Sequence, residues 1–239
     1  MQGLILAGGE GSRLAGDGVA APKPLAAPGG EPQLQALART LRSVGCGQIT
    51  AMVRDRFLAQ VEASLSPESG VRVVGCHTPS SLHTLVLGLA TLPAGPVLCT
   101  MVDTVMRPDD WQRLAQGLRQ RLDQGDTLVL AVTPYVDDES PLWVTRDDQG
   151  MVLRLGAEPV SPPCVTGGVY ALSPTAREWA SQALGAGWSR MRAYLGSVVE
   201  RGGRVGTVEV ARIFDLDRRQ DLEAARAWLE AAGPSGGVR

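Results

Sequence analysis

The chain has 239 residues, 44% of them hydrophobic and 20% charged, which is typical of a globular protein with one large domain or two small ones. Its formal net charge of −2 comes without a basic stripe, which argues against a nucleic-acid partner. No stretch approaches the roughly 18 consecutive apolar residues of a membrane span, and the N-terminus lacks the pattern of a secretory signal. We therefore expect no membrane partner and a cytoplasmic location.

The four cysteines, Cys46, Cys76, Cys99 and Cys164, are scattered along the chain. They form no C-x-x-C pair, and Cys99 lies inside an apolar run. Buried free thiols are therefore expected rather than a disulfide framework or a zinc site.

A short predicted strand opens the chain and runs directly into a glycine-rich loop. Residues 4–7 are apolar, and G-G-E-G-S-R follows at positions 8–13. Glycines remove the side chains from this loop and leave its backbone N–H groups bare. We expect a ligand to approach the backbone closely here.

Apolar, strand-like runs then alternate with segments of helical periodicity as far as residue 133. Strands are predicted at 48–53, 71–75, 96–102 and 127–133, and helices at 32–43, 55–65, 80–92 and 109–122. Strands joined by helices of this length require right-handed crossovers and a mostly parallel sheet covered on both faces. This pattern predicts an α/β fold, a Rossmann-like three-layer α/β/α sandwich with a mostly parallel mixed sheet.

The pattern changes after residue 135. The predicted elements are a hairpin of 142–145 and 151–155 around the turn D-D-Q-G, a strand at 167–172, helices at 174–184 and 189–201, a strand at 204–210 and a helix at 218–232. No linker separates two domains. Residues 1–239 are therefore predicted to form a single domain with halves at 1–135 and 136–232 and a flexible tail at 233–239.

The basic residues are strongly biased, because 22 of the 23 are arginines and one, Lys23, is a lysine. Lys23 lies between two prolines, in A-P-K-P-L, shortly after the glycine-rich loop. One interpretation is that this lysine escaped replacement by arginine by chance. We prefer the alternative that the position needs a compact, strongly hydrated point charge and that a planar guanidinium does not fit.

Acidic residues follow two of the predicted strands. Asp103 closes the run V-L-C-T-M-V-D, and Asp215 and Asp217 lie in I-F-D-L-D. In such sheets ligands bind beyond the carboxyl ends of the strands, and carboxylates commonly hold Mg²⁺ in phosphate chemistry. A magnesium site is therefore predicted. The plainer alternative is a turn or cap role, which Asp109 fills better than Asp103, whereas Asp217 would suit the cap of the last helix.

Together these segments resemble the signature of the sugar-1-phosphate nucleotidyltransferases, or NDP-sugar pyrophosphorylases. The resemblance rests on L-I-L-A-G-G-E-G-S-R-L with P-K-P-L, on V-D-T, on G-G-V-Y-A-L-S-P and on D-L-D-R-R-Q-D-L. It spans most of the chain. It implies the nucleotide-diphospho-sugar transferase fold, which is GT-A-like, with a nucleotide-binding half at 1–135 and an acceptor-binding half at 136–232.

The resemblance also implies a reaction. In this family the phosphate of a sugar 1-phosphate attacks the α-phosphorus of an NTP in line, expels pyrophosphate and forms an NDP-sugar. A phosphate monoester is largely dianionic at neutral pH because its second pKa is near ~6, so it needs no general base. Catalysis then consists of positioning and charge neutralisation around the phosphates.

Matching the motifs residue by residue implies a set of site residues. The implied catalytic residues are Arg13, Lys23, Asp103 and Asp217. Mg²⁺ is expected at Asp103 and Asp217, with Asp215 as a partner. The expected nucleotide contacts are Leu6, Ala7, Gly8, Gly9, Glu10, Gly11, Ser12, Ser80 and Ser81. The two serines suit the N-cap of the next helix equally well.

One departure from the family pattern concerns the acceptor side. Many members place a second lysine in E-K-P to hold the sugar phosphate, whereas residues 157–159 read A-E-P and the chain has no second lysine. An arginine, Arg154 or Arg190, would have to supply that charge, and Gly168 in G-G-V-Y is expected to contact the sugar. The expected partners are an NTP and a sugar 1-phosphate, and homo-oligomer formation stays open.

Other protein classes fit the glycine-rich loop less well. A dinucleotide-binding dehydrogenase needs G-x-G-x-x-G, but the motif ends in Leu14 here, and a P-loop NTPase needs G-K-[ST] after its glycines. Two alternatives stay open. One is a cytidylyltransferase acting on another phosphate, such as phosphocholine or a cofactor phosphate, and the other is a non-catalytic nucleotide-sugar sensor of the same fold.

Overall fold

The computed structural model describes residues 1–231, and its centre is a large mixed sheet. The strands are β1 (Gln2–Ala7), β2 (Ile49–Arg54), β3 (Val71–Cys76), β4 (Val97–Met101), β5 (Thr104–Val105), β6 (Leu128–Thr133), β7 (Trp143–Arg146), β8 (Val152–Gly156), β9 (Val165–Leu172), β10 (Val205–Glu209) and β11 (Phe214–Asp215). The helices are α1 (Ser12–Gly16), α2 (Gln33–Ser43), α3 (Leu58–Ser64), α4 (Ser81–Ala90), α5 (Pro108–Asp123), α6 (Pro174–Gly185), α7 (Met191–Glu200) and α8 (Arg219–Glu230).

The order of the main strands is β10-β6-β9-β4-β1-β2-β3. The pairs of β1 with β2 and β4, of β2 with β3 and of β6 with β10 are parallel, whereas β9 is antiparallel to both β4 and β6. The β7–β8 hairpin joins this sheet through β9, and β5 and β11 pair separately. The prediction of an α/β fold with a mostly parallel mixed sheet is confirmed.

Helices cover both faces of the sheet because the strands are apolar on both sides. Along β1, Leu4 and Leu6 pack into a buried cluster with α4, α6 and α7, whereas Ile5 and Ala7 pack into a second cluster with α2, α3 and α5. Such continuous apolar strands are typical of sheets buried on both faces. Because helices cover both faces of the sheet, a ligand can reach it at the loops that follow the strand ends.

Most predicted elements lie within a few residues of their observed bounds, with three differences. The segment predicted as one helix at 55–65 begins with a 3₁₀ turn, Asp55–Phe57, before α3. The short elements α1, β5 and β11 were not predicted. Asp109 was expected ahead of its helix, but it lies in the first turn of α5, whose N-cap is Arg107. The predicted tail at 233–239 and the last residue of the helix predicted at 218–232 lie outside the described residues.

The four cysteines are free and buried, as predicted. Burial raises the pKa of the Cys46 thiol to about 11 and also raises that of Cys76. Both thiols are therefore protonated at neutral pH and are poor nucleophiles. Among residues 1–231, no helix has the length and apolar character needed to cross a membrane.

Candidate active site

The glycine-rich loop leaves β1 at the carboxyl edge of the sheet and turns into α1. Leu6 and Ala7 are buried in β1, whereas Gly9 is exposed. A Cβ on Gly8 would lie 3.0 Å from Oγ1 of Thr84, so this glycine lets the loop pack against α4. A Cβ on Gly9 would meet no atom of the described residues within 4 Å. The backbone at Gly9 is therefore open to a ligand.

The end of the loop is shaped by the conformation of one glycine. Gly11 has a φ of 63° and forms the N-cap of α1, which begins at Ser12. This left-handed conformation costs little for glycine and is unfavourable for residues with a Cβ. A Cβ there would also lie 3.5 Å from Cγ of Lys23, so the loop and the lysine segment are in close contact.

Lys23 lies among the predicted carboxylates. Its Nζ donates to Oδ2 of Asp103 at 2.7 Å and also to Oδ1 of Asp217. The Lys23 side chain is 14% exposed and that of Asp103 is 15% exposed, so little water screens this pair. Arg13, which is half exposed, donates to Oδ2 of Asp217 at 2.5 Å. The four residues predicted to be catalytic therefore form one connected group.

Asp215, the third carboxylate, is brought to this group by the short β5–β11 pair, which was not predicted. In the β5–β11 ladder Asp215 lies opposite Thr104, and the backbone N–H of Leu216 donates to the carbonyl of Asp103 at 3.1 Å. One carboxylate oxygen from each of Asp103, Asp215 and Asp217 lies within 4.8 Å of the others. The two acidic motifs, more than a hundred residues apart in the sequence, thus meet at one point.

Asp217 does not cap the last helix, although the sequence suited that role. The N-cap of α8 is Arg218, and the capping carboxylate is that of Asp221, whose Oδ2 accepts from the backbone N–H groups of Arg218 at 2.7 Å and Asp217 at 3.1 Å. An acid at this third helical position satisfies N–H groups that the helix itself cannot pair. The Asp217 carboxylate is therefore free to bond Lys23 and Arg13.

The cluster shifts the pKa values of its members in opposite directions. Desolvation opposes ionisation of Asp217, but hydrogen bonds and charge from Lys23 and Arg13 outweigh it and lower the Asp217 pKa. Asp215 is exposed and lines a cavity, and partial desolvation together with the charge of Asp103 raises its pKa. Desolvation likewise opposes the charge of Lys23, but Asp103 and Asp215 raise its pKa overall.

The charges of the cluster do not balance, because three carboxylates meet two cations, Lys23 and Arg13. Lys23 stays protonated, yet Asp215 still resists ionisation beside Asp103 and Asp217. Three carboxylate oxygens within reach of one point are the hard donors that Mg²⁺ prefers. The residues present therefore fit a divalent cation.

A cavity of about 540 Å³ opens next to the carboxylates. Asp103 and Asp215 are among its lining residues, and so is Arg190, the N-cap of α7. Gly168, predicted to contact the sugar, also lines the cavity and has a φ of 74°. A Cβ on Gly168 would lie 2.7 Å from Oγ1 of Thr104, so glycine lets β9 pack closely on Thr104 in this left-handed conformation without strain.

The two arginines proposed to replace the missing lysine lie in different places. Arg190 lines the cavity, whereas Arg154 is exposed on β8 and is not among the lining residues. Arg192, which sequence reasoning missed, also lines the cavity, and its Nη2 donates to the carbonyl of Ser140 at 3.2 Å. The sequence R-M-R in the first turn of the helix predicted at 189–201 was the available signal.

Ser80 and Ser81, predicted to bind nucleotide, both make contacts within the fold. Ser80 is the N-cap of α4, and its Oγ lies 2.8 Å from Nδ1 of His83 and contacts the carbonyl of Ser189. Oγ of Ser81 accepts from the backbone N–H of Met191 at 3.4 Å, and Ser81 also lines the cavity. These bonds join the N-terminal ends of α4 and α7. Any role in nucleotide binding stays a prediction.

Comparison with known proteins identifies the family. Residues 3–185 match the MobA-like NTP transferase domain, a span that includes Lys23, Asp103 and Gly168. The chain belongs to this family. It is therefore an enzyme of the nucleotidyltransferase class, which disfavours the non-catalytic sensor. Arg190, Asp215 and Asp217 lie beyond the matched span.

Two solved structures share the fold of this NTP transferase. The inositol-1-phosphate CTP transferase from T. maritima is 14% identical with a TM-score of 0.78, and the alignment covers 100% of this chain and 97% of that one. A putative glucose-1-phosphate thymidylyltransferase from Bacillus anthracis, in complex with a sucrose, is 17% identical with a TM-score of 0.80 and coverage of 100% and 98%. No curated protein matches the chain in sequence. The predicted resemblance is confirmed at the level of family and fold.

Proposed function

We propose that this NTP transferase transfers NMP from an NTP to a sugar 1-phosphate, releasing pyrophosphate and forming an NDP-sugar. The observation that carries the proposal is the position of the Lys23 ammonium. The Lys23 stem lies beside Gly11 of the glycine-rich loop, its ammonium bonds Asp103, and Asp103 lines the 540 Å³ cavity. A triphosphate on the loop and a phosphate in the cavity would therefore meet at this ammonium.

Each residue near that meeting point has a role that follows from its charge. Backbone N–H groups from Gly8 to Ser12 would bind the triphosphate, and Arg13 would balance the charge of the departing pyrophosphate. Lys23 would hold the reacting phosphates in line for attack. No described residue needs to remove a proton, because the attacking phosphate is already largely ionised.

Mg²⁺ is the metal we propose for the carboxylate cluster. Asp103 and Asp217, with Asp215 as a partner, would hold it, and when bound it would neutralise phosphate charge and orient the phosphate oxygens. The raised pKa of Asp215 supports this assignment, because a divalent cation would supply the positive charge that the cluster lacks.

The acceptor phosphate would be bound by arginine instead of the family's second lysine. Arg190 lines the cavity and is the residue we propose for this role, and Gly168 lines the same cavity, in which the sugar would bind. Arg154 is a weaker candidate because it does not line the cavity. A cytoplasmic location and homo-oligomer formation remain predictions.

Pyrophosphate release tests the proposal directly. The purified protein is incubated with Mg²⁺, one of ATP, CTP, GTP, UTP or dTTP, and one phosphate acceptor from a panel of sugar 1-phosphates, inositol 1-phosphate and phosphocholine. We expect release with at least one sugar 1-phosphate, and release that is slower by orders of magnitude with the Asp103→Asn variant. Release with phosphocholine alone would favour the cytidylyltransferase alternative. A panel without any release would contradict the proposal.

A further inference from the structure

Arg54 is the last residue of β2 and bonds two loops on the ligand side of the sheet. Its Nη2 forms an ion pair with the carboxylate of Glu10 in the glycine-rich loop. Its Nη1 donates to the carbonyl of Thr78, between β3 and α4, at 3.0 Å. The Arg54 side chain is only 15% exposed. One planar guanidinium thus holds together segments that lie far apart in the sequence.

The two bonded loops pack together against the start of α4. The glycine-rich loop packs against Thr84, because a Cβ on Gly8 would lie 3.0 Å from its Oγ1. The same Oγ1 lies 2.6 Å from Oγ1 of Thr78. The Thr78 loop leads directly to Ser80, which was predicted to contact the nucleotide. With the triphosphate on the glycine-rich loop and the nucleoside at Ser80, as the resemblance implies, the spacing of these loops would set the distance between the two binding positions.

The charge of Glu10 needs an explanation in a loop that would bind phosphates. Two arginines neutralise it: Arg54 and Arg56, whose Nη2 lies 2.6 Å from Oε2 of Glu10 and also donates to the Glu10 carbonyl at 3.0 Å. With both bound, the local charge is positive, and Glu10 serves as an anchor for the loop. A carboxylate without these partners would repel a triphosphate.

The core does not depend on Arg54. β2 is paired with β1 on one side and β3 on the other, and its residues from Ile49 to Val53 are buried. Arg54 itself reaches out of the sheet to the loops. Replacement of Arg54 should therefore alter the spacing of the two loops and leave the free energy of unfolding nearly unchanged.

We propose that Arg54 is a positioning residue for the NTP: it fixes the spacing between the glycine-rich loop and the Thr78 loop so that phosphates and nucleoside are bound together. This inference rests on the proposed function. A guanidinium suits the task because it donates in two directions from one rigid plane, which an ammonium cannot do with the same geometry.

The test compares Arg54→Met with Arg56→Met, since both arginines bind Glu10 but Arg54 alone of the two bonds Thr78. Each variant is titrated calorimetrically with the five NTPs and with inorganic tripolyphosphate in the presence of Mg²⁺. For Arg54→Met we expect a Kd for the best-binding NTP that is at least ~10-fold higher, a Kd for tripolyphosphate changed by less than ~3-fold, and a near-native Tm. For Arg56→Met, which leaves the bond from Arg54 to Thr78 in place, we expect a similar rise in both Kd values that is smaller than the loss of NTP affinity in Arg54→Met.

Arg54→Lys separates positioning from charge. We expect it to restore little of the NTP affinity, because the ammonium cannot bond Glu10 and Thr78 in the same way. Full recovery in Arg54→Lys, equal losses in Arg54→Met and Arg56→Met, or equal losses for NTP and tripolyphosphate in Arg54→Met would each overturn the inference. Wild-type protein that binds none of the five NTPs would overturn the proposed function, and this inference with it.

Discussion

The Nζ of Lys23 lies 2.7 Å from Oδ2 of Asp103, although 80 residues separate the two in the chain. Lys23 follows β1, Asp103 follows β4, and these strands are neighbours in the sheet. The lysine and the aspartate each had a plain alternative in the sequence: chance survival for one and a turn role for the other. Their contact, mostly shielded from water, supports a shared role at the phosphates.

Replacement of Lys23 tests whether the single lysine is necessary. Lys23→Arg keeps the charge, but the larger planar group must fit where Lys23 is 14% exposed and packed against Gly11. A displacement of about 1 Å can cost ~100-fold in rate, so we expect kcat/KM for NMP transfer to fall at least ~10-fold. Arg113→Lys on the surface of α5 is the control and should be neutral. Full activity of Lys23→Arg would favour the interpretation that this lysine survived by chance.

Asp103→Asn tests the metal site, because it removes one charge at nearly constant shape. We expect pyrophosphate release in saturating Mg²⁺ to fall by orders of magnitude, and the affinity for Mn²⁺, followed by the paramagnetic resonance of the free ion, to fall with it. Asp148→Asn, in the exposed turn before β8, is the control and should match the wild type. Wild-type activity of Asp103→Asn in Mg²⁺ would remove Asp103 from the metal site.

We expect Asp215→Asn to stabilise the metal-free protein and to lower its rate of NMP transfer. The pKa of Asp215 is raised in the folded state, so the folded protein binds this proton more tightly than the unfolded chain. Ionised Asp215 therefore lowers the free energy of unfolding. This loss grows as the pH rises from about 4, the ordinary Asp pKa, through the raised pKa. The asparagine resembles the neutral acid at every pH.

We expect Asp215→Asn to raise Tm in chelator-treated buffer at pH 8, by an amount that solvent screening of this exposed group keeps small, and this gain should shrink as the pH approaches 4. Thermal unfolding across this pH range measures the gain. An equal Tm for wild type and variant at pH 8 would contradict the charge repulsion that we infer at the cluster.

Gly9→Val tests the bare backbone of the glycine-rich loop. The Cβ would point into open space, so the fold should tolerate it, but the branched side chain would occupy the position where a phosphate approaches. We expect KM for the NTP to rise at least ~10-fold with a near-native Tm. Gly168→Val is the contrasting variant: its φ of 74° and the close Thr104 should make it lose stability as well. Unchanged NTP affinity in Gly9→Val would contradict the role of the loop.

The fold was predictable where apolar residues recur with the spacing of a helix or a strand. The site was predictable only where a functional residue directly follows one of these periodic elements. Asp103 could be identified because it directly follows an apolar strand. β5 and β11 have two residues each, too few for any periodicity, and the antiparallel position of β9 between β4 and β6 depends on long-range pairing. The bond from Arg54 to Glu10 spans 44 residues and joins two charged side chains of common types, so no sequence pattern marks it.

Arg190→Met and Arg154→Met decide which arginine replaces the family's second lysine. Arg190 lines the cavity beside the carboxylates, whereas Arg154 is exposed on β8. A cation that binds the acceptor phosphate should affect the acceptor more than the NTP. We therefore expect Arg190→Met to raise KM for the sugar 1-phosphate at least ~10-fold with KM for the NTP within ~3-fold, and Arg154→Met to match the wild type in both. Steady-state kinetics with each substrate varied in turn measure this difference. The reverse result would assign the phosphate to Arg154 and require the β7–β8 hairpin to move toward the cavity.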